Sequence, residues 1–391
     1  MQDKLNTKVI ISKRLTLSEP FINGNEWKYV KECLDTGWVS SAGKFVDLFA
    51  EKFSQYVNAK HAIPTSCGTS ALHVSLVALG LQPNEEVLVP SLTFIATANV
   101  VRYCNAYPVF TDVDDRTLCM DVGKVKDFLE KECIWSNGLL INKSTRRTVR
   151  GMIPVHIYGH PVDMDPLLEL AQKYNMFILE DATEALGSKY KGKMTGTFGN
   201  LSAFSFNGNK IITTGGGGMV VTDNSALAER IKSLTTQSRA DSIEYYHNEI
   251  GYNYRLTNIQ SALGLAQLER IDEFIQLKRH IAEFYQRELG KVVRVCGEEE
   301  WAFSTYWLCW IIIQGKSRKQ IIENLNAKNI QARPLFFPLH LLPPYRDCQA
   351  YNTERSEYLY EHGINIPSHI SLADDDLEFI VRELEELLDK L

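Results

Sequence analysis

The sequence predicts an α/β protein with a mostly parallel central sheet, followed by a smaller C-terminal α+β domain. Short apolar segments alternate with amphipathic helical patterns between about residues 60 and 222, which is typical of βαβ units. A long helical pattern then leads to a region with its own apolar strand, helices and a Pro-rich loop. We therefore predict two domains, residues 1–275 and residues 276–391, with a helical segment at the start of the first.

The elements of the first domain follow from residue spacing and from turn residues. Apolar positions at helical spacing predict helices over residues 25–35, ended by Gly37, and over 44–56. Short apolar runs predict strands at residues 62–64, 86–90, 108–112, 152–155, 176–179, 201–207 and 219–222. The helices between them are predicted to begin at Gly68 and to span 94–103 and 166–174. A basic stretch at 139–150 interrupts this order, and we interpret it as a solvated hairpin tip.

The second domain is predicted from fewer signals. One long helix is expected over residues 259–289, leading away from the sheet. A strand at 306–313 and a helix at 317–328 follow, then a loop with four prolines and a final acidic helix over 374–391. This mixture is typical of a small α+β domain.

Composition and charge exclude several classes of protein. With 45% hydrophobic and 23% charged residues, the chain is neither disordered nor a coiled coil. Its formal net charge of -6 is unlike that of a dedicated nucleic-acid binder. The eight cysteines include no C-x-x-C pair, so we expect neither a zinc site nor a redox motif, and no bound metal.

We expect a cytoplasmic protein that does not contact a membrane. Lys4, Lys8, Lys13 and Arg14 are not followed by the long apolar core that a signal peptide has. Apolar runs such as 311–313 fall far short of the roughly 20 residues that cross a bilayer. Scattered thiols are typical of a reducing compartment.

An aspartate and a lysine near the ends of two predicted strands are the strongest candidates for chemistry. Asp181 ends an apolar strand, and open α/β sheets bind ligands outside such strand ends, although an aspartate there more often caps the next turn. Lys210 follows the strand at 201–207 in a turn rich in Gly and Asn. Most lysines are solvated, but one between buried strands is a candidate for a desolvated, nucleophilic amine.

Two predicted helix starts could hold a cofactor. Gly68, Thr69 and Ser70 open a helix directly after a strand, where N–H groups and hydroxyls favour a phosphate, although a simple N-cap is at least as common. Phe94 begins another helix and becomes a stacking platform only beside a planar cofactor. The glycine run at 215–218 precedes a strand, the reverse of a dinucleotide fingerprint, so we interpret it as backbone freedom near Lys210.

Together these motifs resemble those of pyridoxal-phosphate enzymes with the aspartate-aminotransferase fold (fold type I). More specifically, the chain is similar to the nucleotide-sugar aminotransferases of the DegT/DnrJ/EryC/StrS family over essentially its whole length. The resemblance is carried by five segments in a specific order: TGWVSS at 36–41, EDA at 180–182, SFNGNK at 205–210, GYNYRLTN at 251–258 and RPLF at 333–336.

The resemblance implies a role for each residue that matches. Lys210 would hold pyridoxal 5'-phosphate as an internal aldimine and later move protons between the cofactor and the sugar, with pyridoxamine 5'-phosphate as the intermediate form. Asp181 would pair with the pyridine nitrogen and keep the ring an electron sink. Phe94 would stack on the ring face. Glu184 would lie at the ring hydroxyl, where relatives often carry Gln or His.

The phosphate of the cofactor would lie at the predicted helix start. The resemblance places Gly68, Thr69, Ser70 and Ser205 around it. Asn253 would reach the same phosphate from a second subunit, which implies a homodimer with shared active sites.

The substrate class also follows from the resemblance. The nearest match is to 4-aminotransferases of bacillosamine and legionaminic acid biosynthesis, which use L-glutamate and UDP-2-acetamido-2,6-dideoxy-4-ketoglucose. The alternative is a GDP-perosamine synthase-like enzyme with a GDP-linked 4-keto sugar. Many perosamine synthases have Glu where this chain has Gly217, which favours the UDP-linked sugar.

Four residues are candidates for contacts to the nucleotide sugar or to glutamate: Trp38, Ser41, Arg333 and His340. For Arg333 and His340, ordering of the Pro-rich loop is an equally good interpretation. Two rival functions are disfavoured because Lys210 and Asp181 are both present. A pyridoxamine-dependent sugar dehydratase would have His in place of Lys210, and a catalytically silent binding or regulatory protein would be expected to lose Lys210 or Asp181.

Overall fold

The computed structural model describes residues 14–241 and 243–390, and these form an α/β fold. The predicted basic positions Lys4, Lys8 and Lys13 lie outside the described residues. The helices are α1 (Glu26–Thr36), α2 (Lys44–Val57), α3 (Gly68–Ala78), α4 (Ala96–Tyr103), α5 (Val122–Lys131), α6 (Met164–Lys173), α7 (Ser225–Thr235), α8 (Asn258–Leu268), α9 (Ile271–Leu289), α10 (Arg318–Ala327), α11 (Glu354–His362) and α12 (Asp374–Lys390).

The strands are short throughout. They are β1 (His61–Thr65), β2 (Glu86–Pro90), β3 (Tyr107–Thr111), β4 (Cys133–Ser136), β5 (Leu139–Asn142), β6 (Val149–Met152), β7 (Phe177–Asp181), β8 (Lys189–Tyr190), β9 (Lys193–Met194), β10 (Leu201–Ser205), β11 (Gly218–Thr222), β12 (Arg294–Val295), β13 (Ala302–Phe303), β14 (Cys309–Ile312), β15 (Arg333–Pro334), β16 (Ala350–Tyr351) and β17 (Gly363–Ile366).

The large sheet contains eight strands in the order β1-β11-β10-β7-β6-β2-β3-β16. Pairing is parallel from β10 across to β16, whereas β11 is antiparallel to both of its neighbours. The predicted mostly parallel sheet is therefore confirmed. The carboxyl ends of β7 and β10 meet at one edge of this sheet, which is where the site described below lies.

Two hydrophobic cores flank the large sheet because successive strand residues point to opposite faces. Val87 and Val89 belong to the core beneath α3, α4 and α7, whereas Leu88 between them belongs to the core on the other face. Both faces of the parallel strands are thus buried, as is usual where helices cover a sheet on both sides.

A smaller antiparallel sheet, in the order β12-β14-β17-β15, forms the C-terminal part together with α10 and α12. The α+β character predicted for this part is confirmed. Helix α9 leads into it and packs against α12. The predicted boundary between residues 275 and 276 falls inside α9.

A cluster of aromatic side chains packs helix α2 against the segment that precedes Lys210. Phe49 and Phe53 on α2 are fully buried, and their rings lie 5.1 Å from those of Phe206 and Phe204, respectively. Edge-to-face ring pairs of this kind add specific geometry to the burial of apolar area. Helix α2 therefore supports β10 and the turn that follows it.

Several predicted elements differ from the structure: the strands predicted at 306–313 and 201–207 are shorter, Cys309–Ile312 and Leu201–Ser205, and two other differences have clear physical reasons. The single helix predicted over 259–289 is two helices, because the backbone leaves helical geometry at Arg270 (φ -116°, ψ 7°). Asn25 and Tyr29 donate hydrogen bonds to Glu269, so contacts with α1 fix the end of α8. The strand predicted at 152–155 is assigned to Val149–Met152, and Pro154, which has no N–H group, limits its extension.

The basic stretch at 139–150 is only in part the predicted hairpin tip. Strands β4 and β5 form the hairpin, and a second turn follows it at residues 143–146. Arg147 and Arg150 then fold back onto the sheet, where they pair with Glu86 and Glu85. Local polarity could not reveal those distant partners.

Within residues 14–241 and 243–390, no helix is long and apolar enough to cross a membrane. Over the same residues, no group of three or more His, Cys, Asp or Glu side chains could hold a metal ion.

Candidate active site

A cavity of about 440 Å³ opens at the carboxyl ends of β7 and β10. The structure brings eight of the predicted site residues together around it: Gly68, Thr69, Phe94, Asp181, Glu184, Ser205, Lys210 and Arg333. They come from segments of the chain that are far apart in sequence, so their convergence is a property of the fold.

Asp181 is the last residue of β7 and is held rigidly at the base of the cavity. Its backbone N–H donates to Pro154, and its carbonyl accepts from the N–H of His156. Of its carboxylate oxygens, Oδ2 accepts from the Thr97 hydroxyl at 2.7 Å, and Oδ1 accepts from the Thr183 hydroxyl at 2.7 Å and the Thr183 N–H at 3.2 Å. None of these donors is a cation, so the carboxylate is oriented without an ion-pair partner.

Lys210 lies in the turn between β10 and β11, where its N–H donates to the carbonyl of Asn207. Its side chain is 14% exposed, and its Nζ lies 3.5 Å from Glu184 Oε1. The indole of Trp307 covers the amine, with Nζ 3.8 Å from the ring centroid. Trp307 is itself fixed, because its Nε1–H donates to the carbonyl of Asn209 at 2.6 Å.

Burial dominates the electrostatics of this amine. Desolvation lowers the pKa of Lys210, although the nearby carboxylates of Glu184 and Asp181 oppose that change. Desolvation likewise raises the pKa of Glu184, against the influence of Lys210 and of the Tyr158 N–H. The Lys210 amine is thus largely removed from solvent, and its role as a nucleophile stays a prediction.

The N-terminus of α3 also lines the cavity. Its first-turn N–H groups have no intrahelical partners, and the helix dipole favours an anion there. Gly68 permits a close approach, since a Cβ at this position would lie 2.9 Å from Ser205 Cβ. Thr69 and Ser205 add hydroxyls, so this end has the chemistry of a phosphate site.

Aromatic side chains also line the cavity. The ring of Phe94, which is 55% exposed, lies 6.0 Å from that of Phe336, and Phe336 stacks on Tyr158 at 5.2 Å and 16°. Phe94 precedes α4 by two residues, so it lies in the loop before the helix and not at its start as predicted. Tyr158 has a left-handed backbone (φ 53°, ψ 16°), a strained conformation that is concentrated at functional sites.

Gly217 also lines the cavity, and its backbone leaves no room for a side chain. A Cβ there would lie 2.2 Å from Thr214 Oγ1 and 2.9 Å from Leu256 Cδ1. A glutamate at this position would therefore require the Thr214 and Leu256 side chains to move.

Two predicted ligand residues instead have structural partners. Ser70 is buried outside the cavity and caps α3 through reciprocal bonds with Cys67, so its hydroxyl is used within the helix start. His340 also lies outside the cavity. Its Nδ1 pairs with the Ser91 hydroxyl at 2.6 Å, and its Nε2 lies 3.2 Å from Glu357 and from Thr353. The interpretation of His340 as a residue that orders the Pro-rich loop is the one that the structure favours.

Three other predicted residues do not line this cavity. Trp38 is 59% exposed and borders a separate cavity near Lys44 and Asn258. Ser41 lies in the same loop before α2. Asn253 is exposed beside the end of α7, where it forms a bridge with Thr236. Roles for these residues stay predictions.

Sequence reasoning missed Thr97, Thr183, Trp307 and Phe336, all of which line the cavity. Phe336 lies within the RPLF segment at 333–336, and Thr183 stands two residues after Asp181. Their nearness to these motifs could have identified both as residues of the site. Thr97 and Trp307 carried no such signal, because each reaches its partner only through the fold.

These residues fit pyridoxal phosphate. The cofactor needs a carboxylate for its ring nitrogen, a lysine amine, an aromatic ring face and an anion site. Asp181, Lys210, Phe94 and the N-terminus of α3 supply these in one cavity. The close approach at Gly68 leaves the backbone itself available to a phosphate.

Comparisons with known proteins agree with this geometry. The family model described as the DegT/DnrJ/EryC1/StrS aminotransferase family matches residues 20–385. The GDP-perosamine synthase of Escherichia coli O157:H7 is 41% identical over 375 residues, covering 96% of this chain and 98% of that protein. The GDP-perosamine synthase of Caulobacter vibrioides is 39% identical over 381 residues, with the same coverage.

A solved structure also matches over nearly the full length. Helicobacter pylori PseC, an aminotransferase involved in the biosynthesis of pseudoaminic acid, aligns with a TM-score of 0.87 and 27% identity. The alignment covers 97% of this chain and 100% of that one.

Proposed function

Because this chain belongs to the DegT/DnrJ/EryC1/StrS aminotransferase family, we propose that it uses pyridoxal phosphate to aminate carbon 4 of a GDP-linked 4-keto-6-deoxy sugar. L-glutamate is the proposed amino donor. One observation supports amine transfer above the others: Lys210 is a desolvated amine 3.5 Å from one carboxylate, in the same cavity as a second carboxylate and an anion site.

The cofactor supplies an electron sink for breaking and forming bonds at the carbon that carries nitrogen. We assign its ring nitrogen to Asp181 and its ring face to Phe94. We assign its phosphate to Gly68, Thr69 and Ser205. Lys210 would bond to the cofactor in the resting enzyme and would later carry a proton on Nζ to the sugar carbon.

The walls of the cavity would exclude water from this proton transfer. Trp307 covers the amine on one side and is 3% exposed, and Tyr158, also 3% exposed, stacks behind Phe336. In a dry site the fixed dipoles and charges act more strongly than in water. Arg333 lines the cavity and is the cation that we propose for a phosphate of the nucleotide or for the glutamate carboxylate.

The GDP-linked sugar is preferred because of the relatives. The two GDP-perosamine synthases described above match this chain at 39% and 41% identity over 96% of its length. They favour the GDP-linked alternative over the UDP-linked sugar of bacillosamine and legionaminic acid biosynthesis. The UDP-linked sugar is kept as a second candidate, because Gly217 stands where many perosamine synthases have glutamate, and here the Thr214 and Leu256 side chains occupy the space that a side chain would need.

We also propose a homodimer in which each subunit completes the other's site. Asn253, Trp38 and Ser41 do not line the cavity of their own chain, and all three lie on its surface or in an N-terminal loop. The loop before Asn253 exposes four large apolar side chains: Ile243, Tyr245, Tyr246 and Ile250. Exposed apolar groups of this density are typical of an interface.

One experiment tests the reaction and its substrate together. Protein reconstituted with pyridoxal phosphate would be incubated with glutamate and a panel of UDP-, GDP- and dTDP-linked 3- and 4-keto sugars, followed by product mass. We expect 2-oxoglutarate and a GDP-4-amino sugar. Amination of the UDP-linked sugar alone would replace the GDP assignment with the second candidate.

The Lys210→Ala variant is the control for the chemistry. It should form no borohydride-stable bond with the cofactor and should not aminate any sugar. Normal turnover by this variant would refute the role of Lys210, whichever nucleotide the wild type prefers.

A further inference from the structure

Glu184 and Lys210 form a buried pair, and a role for Glu184 at the ring hydroxyl of the cofactor does not explain why its carboxylate contacts the amine. Glu184 Oε1 lies 3.5 Å from Lys210 Nζ, and the glutamate side chain is only 3% exposed. Its other oxygen, Oε2, accepts the backbone N–H of Tyr158 at 2.9 Å. One oxygen is therefore fixed by the strained turn at Tyr158, and this fixes the other beside the amine.

The second carboxylate of the cavity is arranged differently. Both oxygens of Asp181 already accept hydrogen bonds from Thr97 and Thr183. Asp181 influences Lys210 only through its charge, whereas Glu184 Oε1 also contacts Nζ at 3.5 Å. Glu184 is thus the carboxylate that is placed to receive a proton from the amine.

Burial brings the proton affinities of the pair closer together. Desolvation lowers the pKa of Lys210 and raises that of Glu184, and in both cases it outweighs their mutual attraction. An ammonium–carboxylate pair and a neutral amine–acid pair therefore differ less in free energy here than they would in water.

On the premise that the chain is an aminotransferase, we infer that Glu184 is a catalytic acid–base residue that exchanges a proton directly with Lys210. In the forward direction an N–H bond of the Lys210 ammonium breaks and an O–H bond forms at Glu184 Oε1. The products are a neutral amine with a free electron pair and a neutral carboxylic acid. The reverse transfer recharges the amine, and nothing is oxidised or reduced.

Other ionisable groups face this pair and enter its pH dependence. They lie on several elements and comprise Asp181, Arg333, Cys67, Tyr158, Cys119, Lys278 and His369. Changing Glu184 alone keeps all of them constant. The test therefore compares single variants at this position.

The first measurement uses the apoenzyme and needs no turnover. The rate at which an amine-acylating reagent modifies Lys210 is followed against pH by peptide mass spectrometry, with the exposed Lys319 as internal reference. In Glu184→Gln, the loss of the neighbouring charge should lower the pKa of Lys210 by about one unit or more. The matched control, Glu86→Gln, removes a buried carboxylate that contacts Asn142. This variant should leave the pKa of Lys210 unchanged.

The second measurement separates a proton acceptor from a passive charge. The rate of forming the borohydride-reducible bond between Lys210 and added pyridoxal phosphate is measured at pH 7. If Glu184 only supplied charge, Glu184→Gln would react faster, because more of its amine would be neutral. A proton acceptor predicts the opposite, a rate at least ~10-fold lower, with partial recovery in Glu184→Asp.

The inference is overturned if Glu184→Gln bonds the cofactor as fast as the wild type or faster, or if its Lys210 pKa is unchanged. Failure of the wild type to form the bond would instead refute the proposed function. The acylation experiment does not depend on that function, so the two failures are distinguishable. Because glutamine keeps the acceptor for the Tyr158 N–H, the variant is expected to fold, and circular dichroism checks this.

Discussion

The two carboxylates of the cavity differ in their hydrogen-bond partners, and this difference assigns their tasks. Asp181 is fixed by hydroxyl and amide donors, which suits a permanent negative charge that orients a ring nitrogen. Glu184 is paired with an amine, which suits a group that gains and loses a proton. Environment separates the roles of two chemically similar side chains.

Asp181→Asn should strongly reduce transamination, whereas the bond between Lys210 and pyridoxal phosphate should still form. An amide keeps the shape and can still accept from Thr97, but it supplies no charge to hold a proton on the ring nitrogen. We expect a loss of roughly 10³-fold in kcat, the order of effect found when an electrostatic catalytic group is removed. Rapid-mixing absorbance with glutamate measures this half-reaction.

Thr97→Val is the matched control for this prediction. It removes only the hydroxyl that orients Asp181, so the loss in kcat should be much smaller, about 10-fold. Equal losses in the two variants would contradict the separate role of the Asp181 charge.

At the scale of single residues, the sequence predicted those whose signal is local. Asp181 and Lys210 stand at strand ends within recognisable segments, so their position in the chain already indicates their place in the sheet. Thr97 and Trp307 do not. Thr97 meets Asp181 across 84 positions and Trp307 meets Asn209 across 98, and such contacts leave no periodic pattern.

Among the elements, β7 is held by the buried carboxylate of Glu180, the residue before Asp181, which we call the Glu180 clamp. Glu180 Oε1 accepts the N–H groups of Phe198 and Gly199, and Oε2 accepts from Gly196 N–H and His156 Nε2. His156 Nδ1 accepts the N–H of Val162, which assigns the proton on this ring to Nε2. The clamp ties two loops to the strand that carries Asp181.

Glu180→Gln should destabilise the fold by about 3 kcal/mol at pH 7, because an amide cannot accept all four hydrogen bonds. Burial raises the pKa of Glu180, but its bonds from His156 and the loop amides outweigh that effect, so the folded pKa lies below 4.5. The native state therefore favours the charged form, and this stability is present above pH 4.5 and lost as pH falls through the folded pKa.

Urea unfolding at pH 7 and at pH 4 measures this dependence. The difference between wild type and Glu180→Gln should be smaller at pH 4. A difference that does not change with pH would show that the clamp acts through shape alone.

The bounds of helices and strands were predicted correctly where local start and stop signals are strong. They were predicted wrongly where contacts between distant residues decide where an element ends. Helix α2 begins at the predicted Lys44, and β2 has the predicted bounds. The break between α8 and α9 was missed because apolar spacing continues across it, while the bonds from α1 to Glu269 act over more than 200 residues. Arg147 and Arg150 were assigned to solvent for the same reason.

For the molecule as a whole, Lys278 ties α9 to two loops of the C-terminal part, one of which reaches over the active site. This residue of α9 is 2% exposed, and its Nζ donates to the carbonyls of Trp307 at 2.8 Å and Ser368 at 2.6 Å. Trp307 in turn covers Lys210. A buried amine thus holds in place the residue that walls the active site.

Lys278→Met should change how stability depends on pH. Burial lowers the pKa of Lys278 to about 7, while in the unfolded chain it stays near 10.5. Between these values the unfolded chain binds more protons, so the wild type gains stability as pH rises from 7, by on the order of 2 kcal/mol at pH 9. The variant lacks this gain and also leaves two carbonyls without their donor.

Denaturant unfolding at pH 7 and pH 9 checks this, with Lys319→Met, whose side chain is exposed, as control. The free energy of unfolding of the wild type minus that of Lys278→Met should be larger at pH 9 than at pH 7. An equal difference at both pH values would contradict a depressed pKa at Lys278.

The proposed homodimer predicts complementation between two inactive variants. Lys210→Ala lacks the amine, and Asn253→Ala lacks the group that we propose acts in the opposite subunit. When both chains are produced in one cell, mixed dimers contain one site with both residues intact, so roughly a quarter of all sites should be active. Absence of recovered activity in purified mixed dimers would refute shared sites.

The overall class was predictable because alternating strands and helices admit few arrangements. The contribution of the C-terminal part to the cavity was not predictable in detail. Arg333 and Phe336 stand in a motif, but only the antiparallel pairing of β15 with β17 brings this segment to the cavity at the carboxyl ends of β7 and β10. The division at residues 275 and 276 stays a prediction.

Trp307, Arg333 and Phe336 come late in the chain, whereas Gly68, Asp181 and Lys210 come early, and this order has a consequence during synthesis. A ribosome that has released only the first half or so of the polypeptide has exposed this lysine as an ordinary solvated amine, because the late side chains that bury it do not yet exist. The nucleophile therefore arises only after translation has passed codon 336, and an incomplete chain has no unusually reactive amine to protect.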